Sequence, residues 1–202
     1  MRILKDENYL SILQAARAEF IGKGFKDASM REIARQAGVG LSNIYNYFKN
    51  KDEIFLSIVS PAKTKLFLFI TEQHTEETVD FSAVPVFGHH EDAIEYYIDL
   101  ITRYRGEYRL LLYHSQGSSM SHFRDDLTDH MTRVSHDYMK LEKKHYPKAA
   151  EVSDFFIHAM SSWMVSILGE VVTHDMNRQE IRDFFREYFR FSFAGWRELM
   201  GI

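Results

Sequence analysis

Apolar residues in this chain recur at three- and four-residue steps, the period of an α-helix, and scarcely alternate as they do in a strand. The first such pattern predicts a helix over residues 6–21, with an apolar face made of Leu10, Leu13, Ala16 and Phe20. Gly22 and Gly24 follow and supply its stop. Turn-forming residues are scarce, with three prolines and ten glycines in 202 residues. We therefore predict an all-α protein.

Residues 29–38 carry the start and stop signals of a second helix. Ser29 with Glu32 three positions later is the pattern of a capping box. Gly38 is a natural terminator, because glycine adopts the left-handed conformation without a steric penalty. The second helix is therefore short and sharply bounded.

A third helix is predicted over residues 41–48, after a turn made by Val39 and Gly40, with Ile44 and Phe48 facing one core. A second capping-box-like pair, Asn50 and Glu53, then predicts the start of a fourth helix.

Boundaries are less sharp in the rest of the chain. Pro61 should kink or divide the fourth helix, and Gly106 should separate two later helices. A long polar helix is predicted from about His122 to Lys144. The segment Thr78–His90 contains proline, glycine and two histidines and is the predicted long loop.

The last two predicted helices carry apolar faces wider than contact with a single core requires. Either they are deeply buried in a monomer, or one edge of each meets a second subunit. The candidate interface residues for the second interpretation are Phe155, Met160, Trp163, Ile167, Val171, Phe185, Tyr188, Phe189 and Trp196.

Charge is unevenly distributed along the chain. Residues 1–51 hold nine Lys/Arg against five Asp/Glu, a net charge of +4, while the remainder carries −8. A basic end on an acidic body is typical of a protein in which only that end contacts phosphate, although chance fluctuation gives the same asymmetry.

Some classes of protein are disfavoured by composition. The chain has no cysteine, which excludes disulfides and thiolate metal sites. Its N-terminus is charged where a signal peptide is apolar, and no apolar segment is expected to reach membrane-spanning length, so a cytoplasmic protein without a membrane partner is predicted. There is no nucleophile elbow, phosphate-cradling glycine loop or HExxH motif, so neither an enzyme nor a cofactor is expected.

Two short helices joined by a tight glycine turn form a helix-turn-helix unit. Its second helix carries polar side chains that are not expected to pack in the core. Asn43 and Asn46 can pair with adenine, Ser42 with base or phosphate, and Leu41 with a thymine methyl. Tyrosine hydroxyls and Lys51 suit phosphates. The alternative is a structural corner in which these residues are ordinary core and surface.

The stretch "SMREIARQAGVGLSNIYNYFKNKDEIF" resembles the DNA-binding signature of TetR-type transcriptional regulators, an Ile-Ala-x-x-Ala-Gly-Val run followed by Tyr-x-Tyr/His-Phe-x-x-Lys. The resemblance covers Leu10 to Ile58. It implies base contacts by Arg31, Leu41, Ser42, Asn43 and Asn46, and phosphate contacts by Ser29, Tyr45, Tyr47 and Lys51. Gly40, Leu41 and Ser42 depart from residues common in the family, so the operator sequence is not predicted.

The resemblance also implies a two-domain organisation. Residues 1–51 would form a three-helix DNA-binding domain joined to a larger helical domain, residues 52–202, for effector binding and dimerisation. The implied function is a repressor that binds a palindromic operator in double-stranded DNA as a homodimer and is released by a small-molecule effector. Candidate effector contacts are Tyr97, Tyr104, His114, Met120, Phe123 and Met131, which plain core packing would also explain.

Two alternatives concern other ligands. His122, Asp126 and His130 recur every four residues, a spacing that can chelate a metal, but a solvated charged face is the better interpretation and no metal site is predicted. A non-specific architectural DNA binder would need more basic surface than a +4 domain provides.

Overall fold

A computed structural model gives the backbone of residues 2–75 and 88–201 and the side chains of residues 7–75 and 94–201. Within those ranges the chain forms eight helices and no strand, which confirms the predicted all-α fold. The helices are α1 (Arg2–Asp27), α2 (Met30–Ala37), α3 (Leu41–Ile44), α4 (Lys51–Glu72), α5 (Gly88–Tyr113), α6 (Phe123–His145), α7 (Asp154–Thr173) and α8 (Arg178–Met200).

The chain divides into two compact units. The first consists of residues 1–64 and 106–123, and the second of residues 65–105 and 124–202. Both α4 and α5 therefore contribute to each unit. The functional boundary expected between residues 51 and 52 stays a prediction.

The first helix is longer than its sequence pattern predicts. It continues through Gly22 and leaves helical geometry only at Gly24, which has a φ of 75°. An added Cβ at Gly24 would lie 3.3 Å from the Cβ of His114, and the next residue, Phe25, donates its N–H to the His114 carbonyl at 2.9 Å. The stop is thus set by a close approach to a distant segment as well as by the positive φ.

The predicted breaks in α4 and α5 need correction. Pro61 lies inside α4 without dividing it. The irregular residue of α5 is Tyr104, with φ −116° and ψ 21°, rather than Gly106. Gly106 serves packing instead, since an added Cβ would lie 2.8 Å from Ile21 Cδ1 on α1. Of the predicted loop, residues 88–90 are helical and the rest lies outside the described residues.

Aromatic clusters fill the core of each unit. In the first, Phe20 packs against Phe25 and Phe55 with ring centroids 5.9 and 5.2 Å apart. In the second, Tyr97 stacks on Phe69 at 5.2 Å and meets Phe185 edge-on at 4.9 Å. These contacts stabilise each unit by burial of large apolar areas and by favourable ring geometry.

The expectation that no apolar segment reaches membrane-spanning length is wrong. Among the described residues, α4 and α7 are long enough and apolar enough by composition, each with a mean hydropathy of 1.5. Core helices of soluble proteins pass the same test, and 44% of the apolar window of α4 and 39% of that of α7 are buried inside the protein. The two helices are therefore weak evidence for a membrane.

Candidate nucleic-acid interface

The start of α2 is capped from two directions. Ser29 Oγ accepts the Glu32 N–H at 3.4 Å, as the predicted capping box requires. The Glu32 carboxylate does not return to Ser29 but pairs with Arg35. The backbone N–H of Ser29 instead donates to the carboxylate of Glu19 on α1, at 3.1 Å. Half of the box is therefore supplied by another helix.

Glu19 is a structural residue of the site that sequence reasoning missed. It is 4% exposed and also accepts hydrogen bonds from Lys23 Nζ at 2.8 Å and Gln36 Nε2 at 3.5 Å. Burial alone would raise the pKa of Glu19, but the bonds from Lys23 and the Ser29 amide outweigh it and lower the pKa. Its position among the apolar residues of α1 is the signal that could have revealed it.

The turn between α2 and α3 is fixed by glycine. Gly38 has φ 70° and ψ 24°, the left-handed region predicted for it. Its N–H bonds the carbonyls of Ala34 and Arg35, and the N–H of Val39 bonds Ala34 O at 3.0 Å. This hydrogen-bonded helix end confirms Gly38 as the predicted terminator.

The third helix is shorter than predicted, since regular α-helix ends at Ile44. Hydrogen-bonded turns continue the same direction. The N–H of Asn46 bonds Asn43 O at 3.1 Å, and the N–H groups of Tyr47 and Phe48 bond Ile44 O at 2.9 and 3.0 Å. Because turns and helix share nearly the same spacing, an apolar pattern does not tell them apart.

Two side chains of residues 41–48 are buried in the core, and the other side chains of the segment lie at or near the surface. Ile44 and Phe48 are 0% and 3% exposed. The predicted DNA contacts that are exposed are Arg31, Ser42, Tyr45 and Asn46, and those that are half-buried are Ser29, Leu41, Asn43, Tyr47 and Lys51. Their individual roles on DNA stay predictions.

Asn43 and Asn46 form a pair on this surface. The Asn46 amide N–H donates to Asn43 Oδ1 at 3.2 Å. Among the residues that the structure describes, this bond leaves the Asn43 amide nitrogen and the Asn46 amide oxygen available for other partners. Adenine offers one acceptor and one donor in the major groove, so the pair presents a complementary set.

Lys51 points inward in the structure. Its ammonium donates to the carbonyls of Phe25 at 2.6 Å, Ala28 at 3.1 Å and Lys26 at 3.2 Å. It also lies over the Phe25 ring, 4.5 Å from the centroid. Burial lowers the pKa of Lys51. All three N–H donors are used, so this arrangement clamps the end of α1 to the start of α4.

The start of α4 matches its sequence signal. Asn50 Oδ1 accepts the Glu53 N–H at 2.9 Å, and the Glu53 carboxylate accepts the Lys49 N–H at 2.5 Å. The reciprocal bond falls one residue earlier than in a strict capping box. The prediction of a capped helix start here is confirmed.

Comparison with known proteins decides what this unit is. The family model described as "Bacterial regulatory proteins, tetR family" matches residues 12–58, which contain α2, α3 and the residues just described. This part of the chain is similar to the DNA-binding domain of TetR-family regulators. A curated relative, an HTH-type transcriptional regulator of Haemophilus influenzae, is 27% identical over 126 residues. That match spans 57% of this chain and 58% of the relative, so less than two thirds of the relative's length is covered.

Solved structures support the TetR-like fold along the chain. MexZ of Pseudomonas aeruginosa, a repressor, is 18% identical with a TM-score of 0.65, over 94% of each chain. A transcriptional regulator of Aquifex aeolicus VF5 is 18% identical with a TM-score of 0.59, over 91% of this chain and 98% of that chain. These relatives are transcriptional regulators rather than enzymes.

The six candidate effector contacts fall in both units. Three lie in the first unit and three in the second: His114, Met120 and Phe123, then Tyr97, Tyr104 and Met131. Phe123 and Met131 are buried, and the other four are half-buried. As effector contacts they stay predictions.

His130 differs from the solvated face expected for it. Its ring stacks on Phe67 with centroids 4.4 Å apart, and Nε2 lies 3.4 Å from Thr71 Oγ1. Burial lowers the pKa of His130. The described residues contain no group of three or more His, Asp or Glu that could hold a metal ion.

The candidate dimer residues sort by exposure. Phe155 and Trp163 are 79% and 40% exposed, whereas Val171 and Phe185 are 1% and 2% exposed and belong to the core. The remaining five are half-buried: Met160, Ile167, Tyr188, Phe189 and Trp196. One strongly exposed aromatic residue of α8 escaped the sequence pattern, Phe191 at 67%.

Proposed function

We propose that this chain is a TetR-family regulator, a cytoplasmic repressor that binds a palindromic operator as a homodimer and is released by a small-molecule effector. The observation that carries the proposal is the helix-turn-helix unit, in which Ile44 and Phe48 are buried in the core while the adjoining polar side chains lie at the surface. MexZ and NalD of Pseudomonas aeruginosa, whose solved structures are similar to this chain with TM-scores of 0.65 and 0.59, are both repressors.

The contacts to DNA divide into two kinds. Base edges would be met by Leu41, Ser42, Asn43 and Asn46, with Arg31 at the start of α2 as a further donor. Phosphates would be met by Ser29, Tyr45 and Tyr47, which fix the position of α3 in the groove without distinguishing sequences. Lys51 would act by clamping α1 to α4, since its ammonium is already saturated.

The dimer would form through α7 and α8. Large apolar side chains on these helices are exposed in the single chain, above all Phe155 at 79% and Phe191 at 67%. Exposed aromatic surface of this kind marks an association site. We leave Val171 and Phe185 out of the interface because they are buried. A two-fold dimer would set its recognition segments about 34–36 Å apart, on successive major grooves.

The effector would bind in the second unit and act through the conformation of the dimer. Binding releases DNA only if effector and DNA favour different conformers. Tyr97, Tyr104 and Met131 are the candidate contacts there, with aromatic and sulfur surface suited to an apolar molecule.

A footprint on the DNA upstream of the protein's own gene tests this proposal. We expect protection of two inverted half-sites about one helical turn apart. When compounds from a small-molecule library are added one at a time, the effector should be the compound that abolishes this protection. A Phe155→Glu variant should lose the paired footprint, while Leu68→Glu, an equally apolar exposed site on α4, should retain it. A duplex protected uniformly or not at all would overturn the proposal.

A further inference from the structure

A cavity of about 230 Å³ lies within the second unit. It is bounded by the end of α6, the connection to α7, the first turns of α7 and the end of α8. None of the effector contacts predicted from sequence lines it. Its apolar lining includes Met139, Ala149, Val152, Ile157 and Met200.

One residue of the cavity lining, Glu142, has a buried carboxyl group whose position no contact within the protein explains. The Glu142 side chain is 2% exposed, and its Oε2 atom has no hydrogen-bond partner among the described residues. A buried polar atom without a partner loses its hydration and gains nothing in return, so such atoms are rare in folded proteins. A carboxylate placed this way beside a cavity indicates that something else completes its coordination.

The two lysines that line the cavity form their hydrogen bonds, among the described residues, with groups other than Glu142. Lys143 Nζ lines the cavity but donates to the carbonyl of Ala149 at 2.6 Å, and Lys140 Nζ donates to Asp137 at 2.8 Å. His136 Nδ1 lies 3.7 Å from Asp154. The lining carries three carboxyl groups, on Glu142, Glu151 and Asp154, against two lysines, a formal charge of −1 with His136 neutral. The cavity therefore offers an open acceptor and a small excess of negative charge.

We infer that this cavity binds a small organic amine, with the ammonium group donating to the Glu142 carboxylate and the apolar body contacting Met139, Ile157 and Met200. At about 30 Å³ for each non-hydrogen atom, the volume suits a molecule of about eight such atoms. Charge-assisted hydrogen bonds are strongest in a desolvated setting, which gives a primary or secondary ammonium its advantage over a neutral alcohol. The site does not depend on operator binding.

Benzylamine is a suitable probe, and benzyl alcohol is its neutral control. Both are titrated at about pH 8 to about 10 mM, with the melting temperature as one readout. Methyl resonances of the methionines, with ¹³C label, give a second readout that reports location. We expect benzylamine to shift the Met139 and Met200 signals and to leave that of Met30, in the first unit, unchanged.

The variant Glu142→Gln keeps the shape of the site and removes its charge. We expect it to weaken benzylamine binding at least about tenfold and to leave benzyl alcohol unaffected. Glu198→Gln, an exposed glutamate of α8 outside the cavity, is the matched control and should bind as the parent does. The inference would be overturned if the parent and Glu142→Gln bound benzylamine equally, or if the parent bound the two probes equally. It would also be overturned if benzylamine left the Met139 and Met200 signals unshifted.

Discussion

The Lys51 ammonium donates a 2.6 Å hydrogen bond to the carbonyl of Phe25, which ties the beginning of α4 to the end of α1. Lys51→Met should therefore lower the free energy of unfolding by about 1.5–3 kcal/mol, the contribution of hydrogen bonds made by a charged group. Urea unfolding followed by circular dichroism measures this. Lys49→Met, at an exposed lysine two residues earlier, should leave stability within about 0.5 kcal/mol.

The salt dependence of DNA binding distinguishes this clamp from a direct phosphate contact. A clamp predicts weaker binding for Lys51→Met with the slope of log K against log salt unchanged. A phosphate contact would lower that slope by about 1 and leave the stability of the free protein intact. The second pattern would contradict the clamp.

Asn43→Ala should relax base preference at one operator position and cost about 1–3 kcal/mol of binding free energy on the native duplex. Its side chain is half-buried and touches Asn46, so the folded protein should keep its melting temperature within a few degrees. Anisotropy titrations on native and scrambled duplexes measure the preference. An equal loss of affinity on both duplexes would show that Asn43 does not contact bases.

Glu19 should make the stability of the first unit sensitive to acid. Its folded-state pKa lies below the ordinary value of 4.5, so its contribution is present above pH 4.5 and is lost as pH falls through the folded pKa. Glu19→Gln should cost about 1–3 kcal/mol at neutral pH, because a neutral amide accepts more weakly from Lys23 and Ser29. Urea unfolding at pH 7 and pH 4 should show this cost shrinking with acid. A cost that grows on acidification would refute the role.

Glu142 should make the folded protein less stable as pH rises, the opposite of the effect expected for Glu19. Burial raises the pKa of Glu142 from 4.5 to about 7, so the folded chain favours the neutral form below about pH 7 and the carboxylate above it. The stability contributed by the neutral form is complete below pH 4.5 and is lost as pH rises through 7. The loss should be roughly 2 kcal/mol, allowing for solvent in the adjoining cavity. Urea unfolding from pH 5 to pH 8 should show a decline in the parent that Glu142→Gln reduces. Parallel pH profiles for both proteins would contradict the assignment.

If the proposed dimer forms through α7 and α8, Phe155→Glu and Phe191→Glu should each convert it to a monomer, because a charge would be buried on a face that is apolar in the parent. Sedimentation velocity gives the mass, and circular dichroism checks that helix content is unchanged. Leu68→Glu alters an equally apolar exposed site outside that face and should leave the mass as in the parent. A monomeric parent protein would contradict the proposed dimer directly.

Sequence alone predicts the features of this fold that depend on residues close in the chain. The Ser29 cap, the left-handed Gly38 and the Asn50–Glu53 start were all visible as local patterns, because a cap involves residues within a few positions of each other. The length of α3 was not visible, since hydrogen-bonded turns continue its apolar spacing up to Phe48.

Contacts between distant segments could not be predicted this way. Glu19 reaches Ser29 across ten positions, and Lys51 reaches Phe25 across 26. Both depend on how helices approach one another, which no local pattern encodes. The exposure of Phe191 and the isolation of Glu142 are likewise set by tertiary packing.

The most direct test of the central claim is fluorescence-anisotropy titration of the purified protein on DNA upstream of its own gene, against a scrambled duplex, over a series of salt concentrations. A sequence-specific regulator should prefer the native duplex by about a thousandfold or more, and the preference should survive moderate salt. Weak binding that is equal on both duplexes and disappears with added salt would contradict the account.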